Sequence, residues 1–324
     1  MRLPGRAASI ALLAFAIAAL AQRARADEAF PDHVVKIVLP TASGSTTDTL
    51  ARLVADRLSQ TWSQPVVIEN IAGGAMNTGA TRVARAAPDG YTLMIAPPSP
   101  LTINDLLYRD LAYDPHKFVP VAMLAKIPNA LVVRNDLPAQ SVAQLIAYAK
   151  ANPGKLTFGS QGVGSTAHLS GSQLEVLAGI KMVHVPYHGA VPALNDVMAG
   201  RIDMFFDTLT TSVPLWRGGK LRILAVASPE RAPGVPELPT IAESGVPGFR
   251  SITWFALVAP PATPAAVVGK INRDANTALH DLADKLTAIR LEPMPGTAAD
   301  AGRFIAEETA LWGKVITQAH ITPQ

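Results

Sequence analysis

The segment that decides the fold is residues 34–58, VVKIVLPTASGSTTDTLARLVADRL. Its first part, 34–39, is mostly apolar and predicts a buried strand. Its last part, 48–58, predicts a helix, because Leu50, Leu53, Val54 and Leu58 share one face. Between them lies a loop of glycine and small hydroxyl residues, which brings unpaired backbone N–H groups to the start of the helix.

The same alternation of strand and helix continues along the chain. Further strands are predicted at 66–69, 91–96, 156–158, 183–185, 204–206 and 223–227. Further helices are predicted at 78–87, 142–151, 169–177 and 193–199. The strands are mostly apolar on both faces, as in parallel sheets that helices cover on both sides. The predicted fold class is therefore α/β with mainly parallel sheets.

Two stretches interrupt this alternation. Residues 119–133 contain two apolar segments around Ile127-Pro128-Asn129, and residues 252–259 follow a proline-rich stretch, APGVPELPTIAESGVPGF. Extended segments at these positions suit a chain that crosses to a second domain and later returns. We predict a first lobe at 27–125, a second lobe at 126–250, and a return to the first lobe over 251–324 that ends in helices.

Residues 1–26 are typical of a secretory signal peptide. Arg2 and Arg6 precede an apolar run at 10–21, and Ala24-Arg25-Ala26 matches an A-x-A cleavage signal. The apolar run is shorter than the roughly 20 residues of a membrane-spanning helix. We expect an exported, periplasmic protein that is soluble and whose leader is cleaved near Ala26.

The leader also accounts for the basic character of the chain. The whole sequence has 28 basic and 25 acidic residues, and four of the arginines lie in the leader, so the mature chain carries 24 − 25 = −1. This balance gives no electrostatic reason to bind nucleic acid or an anionic membrane.

The residue content argues against catalysis. The chain has no cysteine, which excludes disulfides, zinc–thiolate sites and cysteine nucleophiles. Its seven histidines show no metal-ligand spacing, and neither a G-x-S-x-G elbow nor an H-E-x-x-H motif is present. Ser160, His168 and Asp207 could be drawn as a triad, but a chain of this length contains such residues by chance. We expect no enzyme, no metal and no cofactor.

The first candidate site is the loop of Ser43, Gly44, Ser45, Thr46 and Thr47. Ser45, with Asp48 three residues later, also fits an ordinary helix N-cap and its acidic partner. The functional interpretation is an anion site, because free N–H groups lie at the positive end of a helix. No Gly-Lys-Ser/Thr follows, which argues against a nucleoside triphosphate.

A second loop of this kind is TFGSQGVGSTAH, residues 157–168. Gly162-x-Gly164-x-x-Ala167 formally matches a dinucleotide fingerprint, but Met182 stands where its acidic residue belongs. An anion held between two such loops, one in each lobe, explains the pattern better. His168 either contributes to that site or has a structural role.

Three more residues are expected at the same edge of the sheet. Tyr187 and His188 follow the strand at 183–185, and Asp207 ends the strand at 204–206. Ligands of open α/β sheets bind outside the carboxyl ends of the strands. Asp207 could accept a hydrogen bond from a ligand hydroxyl or ammonium group, or it could simply cap a turn.

At this point the chain resembles a known family, the substrate-binding receptors of tripartite tricarboxylate transporters, or Bug receptors. The resemblance runs from about Phe30 to Ile316 and depends on the order and spacing of many phrases. They are FPDHVVKIVLP, ASGSTTD, RVARAAPDGYTLMIA, LAYDP, GSQGVGSTAH, VPYHGAVPALNDVMAGRIDMFFD, GKLRILAVASPER, PTIAESGVPGF, WFALVAPPATP and LWGKVI.

The resemblance implies a two-lobed periplasmic-binding-protein fold of type II with a cleft between the lobes. It implies a small carboxylate ligand, held by backbone amides and waters, and a membrane permease driven by an ion gradient as partner. Residue by residue, it implicates Ser43, Ser45, Thr46, Thr47, Asp48, Ser160, Gly164, Ser165, Thr166 and His168, with Tyr187 and Asp207 nearer the ligand-specific contacts. We expect a monomer and no arginine that anchors the ligand.

Four positions depart from the usual family pattern. They are Thr41, Ser45, the segment 97–100 (Pro-Pro-Ser-Pro) and His188, all expected near the cleft rim. They put the identity of the ligand in doubt and leave the fold secure. An alternative function, a carboxylate sensor that signals to a membrane partner, would use the same cleft.

Overall fold

The computed structural model describes residues 30–319 and 321–323, so the predicted signal peptide lies outside the described residues. The helices are α1 Thr46–Trp62, α2 Asn77–Ala84, α3 Asn104–Leu107, α4 Val142–Ala151, α5 Thr166–Ala178, α6 Ala190–Met198, α7 Leu209–Arg217, α8 Ala265–Asp281, α9 Ala283–Ala288 and α10 Ala298–Gln318. The strands are β1 Val35–Leu39, β2 Val66–Asn70, β3 Thr92–Ala96, β4 Val119–Val133, β5 Thr157–Ser160, β6 Val183–Pro186, β7 Met204–Thr208, β8 Arg222–Val226, β9 Ile252–Ala259 and β10 Glu292–Pro293.

The strands form two lobes that share strand β4. The order across the sheet is β2-β1-β3-β9-β4-β7-β5-β6, and β8 and β10 also pair with β4. The N-terminal part of β4 pairs with β9 and β10, and its last residues pair with β7 and β8. We call the β1–β3 side the first lobe and the β5–β7 side the second lobe.

The parallel pairing expected from the alternating pattern occurs in the outer strands of both lobes. Strand β1 pairs in parallel with β2 and β3, and β5 pairs in parallel with β6 and β7. In the described chain, every antiparallel pairing includes β4 or β9. The sheet is therefore mixed, because the two long strands run against their neighbours.

Strand β4 differs from its sequence-based expectation. The two apolar segments around Ile127-Pro128-Asn129 form one strand of 15 residues. Pro128 has the last pairing with β9, and Asn129 has the first pairing with β7. The proline, which has no N–H, stands where β4 changes partners, so it disturbs the ladder little.

Helices α5 and α6 begin three residues earlier than their predicted starts at 169 and 193. Ser165 caps α5 by accepting a hydrogen bond from the His168 amide, and Gly189 precedes α6 with a φ of 140°. These small polar residues interrupt the apolar periodicity, which is why the pattern alone places the helix starts too late.

Apolar side chains of both lobes join in one connected core along the sheet. Helix α10 adds a smaller cluster, in which Trp312 and Ile316 pack with Leu169 of α5 and Leu107 of α3. Among the described helices, none combines the length and the apolar composition needed to cross a bilayer.

A buried polar cluster lies where the chain crosses between the lobes. The Asn129 amide donates to Ser251 Oγ at 2.7 Å, and Thr253 donates to Asn129 Oδ1 at 2.9 Å. The backbone of Asn129 also bonds to Ser251 and Ala227, and Ser251 Oγ lies 2.5 Å from Ser170 Oγ of α5. This cluster lies near the predicted lobe boundaries at 125/126 and 250/251, which stay a prediction.

We expect Asn129→Ala to lower the free energy of unfolding by about 1–3 kcal/mol, because the buried Thr253 hydroxyl loses its acceptor and the Ser251 hydroxyl loses a donor. Urea unfolding followed by circular dichroism measures the change. Asn135→Ala is the control, because Asn135 is exposed and its amide makes one bond, to the Gly219 carbonyl. Equal effects of the two variants would contradict the role assigned to the buried cluster.

Candidate functional site

A cavity of about 630 Å³ lies between the two lobes. Its walls come from the loops that follow β1, β5, β6 and β7, and from residues 72–77 of the first lobe. These loops lie at the carboxyl ends of the parallel strands, where open α/β sheets bind ligands.

The structure divides the predicted site residues into two groups. Those that line the cavity are Ser45, Thr46, Thr47, Thr166, Tyr187, His188 and Asp207. Those that lie outside its lining are Ser43, Gly44, Asp48, Ser160, Gly164, Ser165 and His168. Of the departing positions, Thr41, Ser45, Pro97 and His188 lie in the lining, whereas residues 98–100 do not.

In the first loop, Asp48 braces the chain and does not line the cavity. Its carboxylate accepts from the Gly44 amide at 3.0 Å, from Arg52 through two bonds of 3.0 Å, and from Asn70 at 3.1 Å. Burial alone would raise the pKa of Asp48, but the bonds from Arg52, Gly44 and Asn70 outweigh it and hold the pKa below its usual value. Asp48 is thus a positioning residue.

The second loop has the same construction with a histidine in place of the aspartate. The Gly164 amide donates to His168 Nδ1 at 3.2 Å, as the Gly44 amide donates to Asp48. The amides of His168 and Asp48 each donate to the preceding N-cap serine at 3.3 Å. The glycines also match, with φ of 81° and 80°. The same cap geometry therefore occurs twice, in Gly-Ser-Thr-Thr-Asp of the first loop and in Gly-Ser-Thr-Ala-His of the second.

The two caps leave unpaired backbone donors at the starts of α1 and α5, where Thr46, Thr47 and Thr166 line the cavity. The N–H groups of Thr46 and Thr47 on α1, and of Thr166 and Ala167 on α5, have no intrahelical acceptor because they lie in first turns. In the described part of the chain they have no other hydrogen-bond acceptor. Helix α6 also starts at the cavity, where Ala190 follows Gly189 without a side-chain cap. Such helix ends attract anions.

Among the residues that the structure describes, no lysine or arginine lines the cavity. Arg134 is paired with Asp203 and Asp136, and Arg217 with Glu237. The positive potential of the cavity therefore comes from backbone dipoles. Among the described residues, no group of three His, Asp or Glu could hold a metal ion.

Asp207 is the acidic residue of the cavity lining, and it is 2% exposed. Thr211 Oγ1 donates to its carboxylate at 2.5 Å. Burial raises the pKa of Asp207 to about 7, against the opposing hydrogen bonds from Thr211 and the Thr208 backbone. This carboxyl group therefore changes its charge close to neutral pH.

Tyr187 and His188 differ in what they present to a ligand. The hydroxyl of Tyr187 donates to Asp196 at 2.7 Å, so it is already occupied. Burial, together with this bond to Asp196, raises the pKa of Tyr187 to about 12. His188 is exposed at the rim of the cavity.

Ser160 and His168 belong to a stacked cluster behind the second loop and do not form a triad with Asp207. Ser160 Oγ lies 2.6 Å from Nε2 of His184 and accepts from the Gly162 amide. The rings of His168 and His184 stack with centroids 4.2 Å apart. Burial lowers the pKa of His168 to about 3, with a contribution from His184, and lowers that of His184 to about 4.

Sequence reasoning missed the segment 73–76. Gly73, Gly74, Ala75 and Met76 have φ of 128°, 53°, 52° and 76°, a left-handed turn in the cavity wall. A left-handed conformation costs a non-glycine residue roughly 1–2 kcal/mol, and such strain collects at functional sites. The Asn104 amide donates to the Ala75 carbonyl at 2.9 Å and supports the turn. The pair Gly73-Gly74 was the available signal.

Direct bonds connect the two lobes across the cavity. Thr46 Oγ1 of α1 lies 2.6 Å from Thr208 Oγ1 at the end of β7. The Tyr108 hydroxyl of the first lobe donates to the Val163 carbonyl of the second-lobe loop at 3.0 Å. The lobes are therefore in a closed arrangement.

The two buried histidines predict a loss of stability in acid. Both bind a proton less readily in the folded protein than in the unfolded chain, where the pKa of histidine is near 6.5. Their favourable contribution is complete above about pH 6.5 and is lost as the pH falls towards their folded values. For His168 we expect a loss on the order of 2 kcal/mol between pH 7 and pH 5.

Thermal unfolding at pH 7 and pH 5 measures this loss. His168→Asn, which keeps an acceptor for the Gly164 amide, should reduce the fall in Tm. His280→Asn is the control, because the side chain of His280 is 91% exposed. If His168→Asn and the wild type lose stability equally, the acid sensitivity arises elsewhere.

Comparison with known proteins identifies the family. The sequence model described as tripartite tricarboxylate transporter family receptor matches residues 50–321. Protein BugT of Bordetella pertussis is 32% identical over 295 residues, which cover 90% of this chain and 90% of that protein.

Two solved structures share the fold over nearly the whole chain. An R. palustris protein with adipate is 41% identical, with a TM-score of 0.88, and the match covers 91% of this chain and 100% of that chain. MatC from Rhodopseudomonas palustris, with bound malate, is 34% identical, with a TM-score of 0.83, over 89% of this chain and 100% of that chain. The resemblance to Bug receptors and the two-lobed fold are thus confirmed, and these relatives are solute-binding receptors, not enzymes. The chain belongs to the tripartite tricarboxylate transporter receptor family.

Proposed function

We propose that the protein captures a small organic carboxylate between its lobes in the periplasm and delivers it to the membrane permease of a tripartite tricarboxylate transporter. The observation that carries this proposal is the repeated cap, which turns unpaired amides from both lobes towards one cavity without lysine or arginine. Relatives solved with adipate and malate support a carboxylate as ligand.

Hydrogen bonds from backbone amides can supply the free energy of a micromolar affinity. A micromolar Kd corresponds to about 8 kcal/mol. A hydrogen bond to a charged group contributes roughly 1.5–3 kcal/mol, and a helix N-terminus adds about 0.3–1 kcal/mol. Three or four amide bonds from α1 and α5 therefore supply the needed free energy in gross terms, and the association entropy takes part of it back.

The shape of the cavity favours a ligand with an apolar middle. Ala42, Met76 and Pro97 of the first lobe face the cavity, as do Val163 and Val191 of the second. A cavity of this size is in the usual range for small molecules. An aliphatic acid with a second polar group fits such a wall better than a strongly hydrated ligand.

The test of the proposal is a thermal-shift and calorimetric screen of the purified protein. The set includes mono-, di-, tri- and amino-carboxylates, with adipate and malate among them, and the matched neutral diamides as controls. We expect acids to raise Tm and diamides to leave it unchanged, because the amides recognise negative charge. A protein that binds no acid in the set, or binds the diamides equally well, would contradict a carboxylate receptor.

The role of the second-lobe amides can be tested with a proline. Thr166→Pro removes one N–H at the first position of α5, where proline is tolerated. The preceding Ser165 has φ −69° and ψ 157°, which a following proline accepts. We expect the Kd for an acid from the screen to rise about 10-fold to 100-fold, as for one lost bond to a charged group.

Thr166→Val is the matched control, because it removes the hydroxyl and keeps the amide. Thr166→Val should raise the Kd by a factor several times smaller than the factor for Thr166→Pro. Equal affinities of Thr166→Pro and the wild type would exclude this amide from the site.

Closure gives a further prediction. A ligand that contacts both lobes stabilises the arrangement in which the bonds Thr46–Thr208 and Tyr108–Val163 exist. We expect small-angle scattering to give a smaller radius of gyration at saturation than without ligand. Tyr108→Phe should still close but bind more weakly, because it lacks one cross-cleft bond. An unchanged radius in the wild type would mean that the lobes do not move.

Delivery to a permease is separable from binding. A deletion strain that loses uptake of the bound acid, and regains it with the wild-type gene, supports transport. A strain with normal uptake and an altered transcriptional response to the acid would favour the sensor instead.

A further inference from the structure

The deepest part of the cavity contains a continuous chain of hydroxyl groups that ends at a carboxyl group. Thr46 Oγ1 lies 2.6 Å from Thr208 Oγ1, which lies 3.1 Å from Thr211 Oγ1, which lies 2.5 Å from Asp207 Oδ2. All four residues line the cavity. This hydroxyl chain connects α1 of the first lobe with α7 of the second, so it is complete only in the closed arrangement.

The protons in this chain can be counted. Three hydrogen bonds connect the four groups, and each hydroxyl has one proton. When Asp207 is ionised it can only accept, so all three hydroxyl protons point towards it and Thr46 has none left for a ligand. When Asp207 is protonated, it donates to Thr211, whose hydroxyl can then donate to Thr208 Oγ1 at 3.1 Å or to the Thr208 carbonyl at 3.2 Å. In the first case the bonds reverse direction, and the Thr46 hydroxyl becomes free to donate into the cavity.

A carboxylate ligand needs donors and is repelled by a second negative charge. The free amides of Thr46 and Thr47 lie beside the same hydroxyl, so an anion at the end of α1 gains a further donor only in the protonated state. The same protonation removes the negative charge of Asp207 from the cavity. Both effects favour binding of the anion together with one proton.

We propose that the cleft binds its carboxylate ligand together with a proton taken up by Asp207, and that the chain Thr211–Thr208–Thr46 presents this proton to the ligand as a hydroxyl donor. This inference rests on the proposed function and adds to it the regulation of the site by pH. The proton comes from the solvent, and no covalent bond other than O–H changes.

The surroundings of Asp207 allow it to take up a proton near neutral pH. Burial without a cationic partner raises its pKa to about 7. The elements packed against β7, the contacting helix α1 and the cavity lining carry other titratable or charged groups. They are Lys126 on β4, His168 and Glu175 on α5, Asp196 on α6, Arg217 on α7, Asp48, Arg52, Asp56 and Arg57 on α1, and Tyr108, Tyr187 and His188 in the lining. In the described residues none of them forms an ion pair with Asp207.

The test is isothermal titration of adipate, and separately of malate, at pH 8 in N-ethylmorpholine and in Tris, two cationic buffers that do not compete for an anion site. The two buffers differ in ionisation enthalpy, so the difference in heat gives the number of protons taken up. We expect close to one proton per ligand, and a tenfold fall in affinity from pH 8 to pH 9. Asp56→Asn, which removes an exposed carboxylate of α1, is the control and should behave as the wild type.

Two variants distinguish the role of the hydroxyl chain from a simple effect of the charge on Asp207. Asp207→Asn has a neutral amide that can donate to Thr211, so it should bind about tenfold more tightly than the wild type at pH 8, without proton uptake. Because this variant lacks the Asp207 carboxyl group, any proton uptake that remains belongs to another group. Thr208→Val interrupts the hydroxyl chain and keeps Asp207, and α7 loses no side-chain cap. The Thr46 hydroxyl then has no acceptor at Thr208 and is free to donate at every pH, so the affinity at pH 8 should not fall below that of the wild type. Proton uptake should fall below the wild-type value, to the part that comes from the charge of Asp207 alone.

The possible failures are distinguishable. If neither adipate nor malate binds and the full acid screen is also negative, the proposed function fails and this inference fails with it. If an acid binds with no proton uptake in the wild type, only the inference is overturned. Full uptake in Thr208→Val would refute the hydroxyl chain, and uptake in Asp207→Asn would refute the assignment to Asp207.

Discussion

The structure depends on one long strand that has to satisfy two sheets. Strand β4 pairs with β9 and β10 in its first part and with β7 and β8 in its last part, so its backbone groups are used on both sides. The chain leaves the first lobe along β4 and returns along β9. Because a buried strand cannot leave its N–H and C=O groups unpaired, the position of β4 determines how the two sets of parallel strands face each other. The loops at their carboxyl ends then meet at one cavity.

The repeated cap leaves backbone amides unpaired at the starts of α1 and α5, beside a cavity whose described lining has no basic side chain. In both lobes the third helical residue reaches back to the glycine amide, and the N-cap serine accepts from that residue's own amide. The amides of Gly44, Asp48, Gly164 and His168 bond within the protein. Among the described residues, the amides of Thr46, Thr47, Thr166 and Ala167 stay unpaired. The brace adds no net negative charge at either end. Arg52 neutralises Asp48, and burial keeps His168 uncharged.

Local periodicity predicted the strands of both lobes and helices α1, α2, α4, α5 and α6. It did not predict α3 or α7, and it placed helices after residue 251 without bounds. The two loops of glycine, serine and threonine at strand-to-helix junctions were also predictable, and both begin helices with a serine N-cap. Which loop residues line the cavity and which only hold the loop in place was not predictable. Asp48 and His168 have the residue types of ligand contacts, but their side chains turn back to the backbone. The turn at 73–76 left only the pair Gly73-Gly74 as a signal. Thr208 and Thr211 escaped notice because their connection to the first lobe depends on the contact of Thr208 with Thr46, which is far away in the sequence. The continuous strand β4 was missed because a proline inside a run of strand residues usually marks its end. Pro128 is tolerated because β4 changes its pairing partner at that position.

Recognition by backbone amides has a consequence for how such receptors diverge. A peptide N–H is present whichever side chain a codon specifies, so most mutations in the two caps leave the anion-binding groups in place. The side chains that surround the rest of the cavity are free to vary under selection for a new solute. Capture of a negative charge is then inherited with the fold, and the choice among acids can be rewritten one residue at a time. A family built in this way can supply a bacterium with many receptors for different acids from one ancestral scaffold.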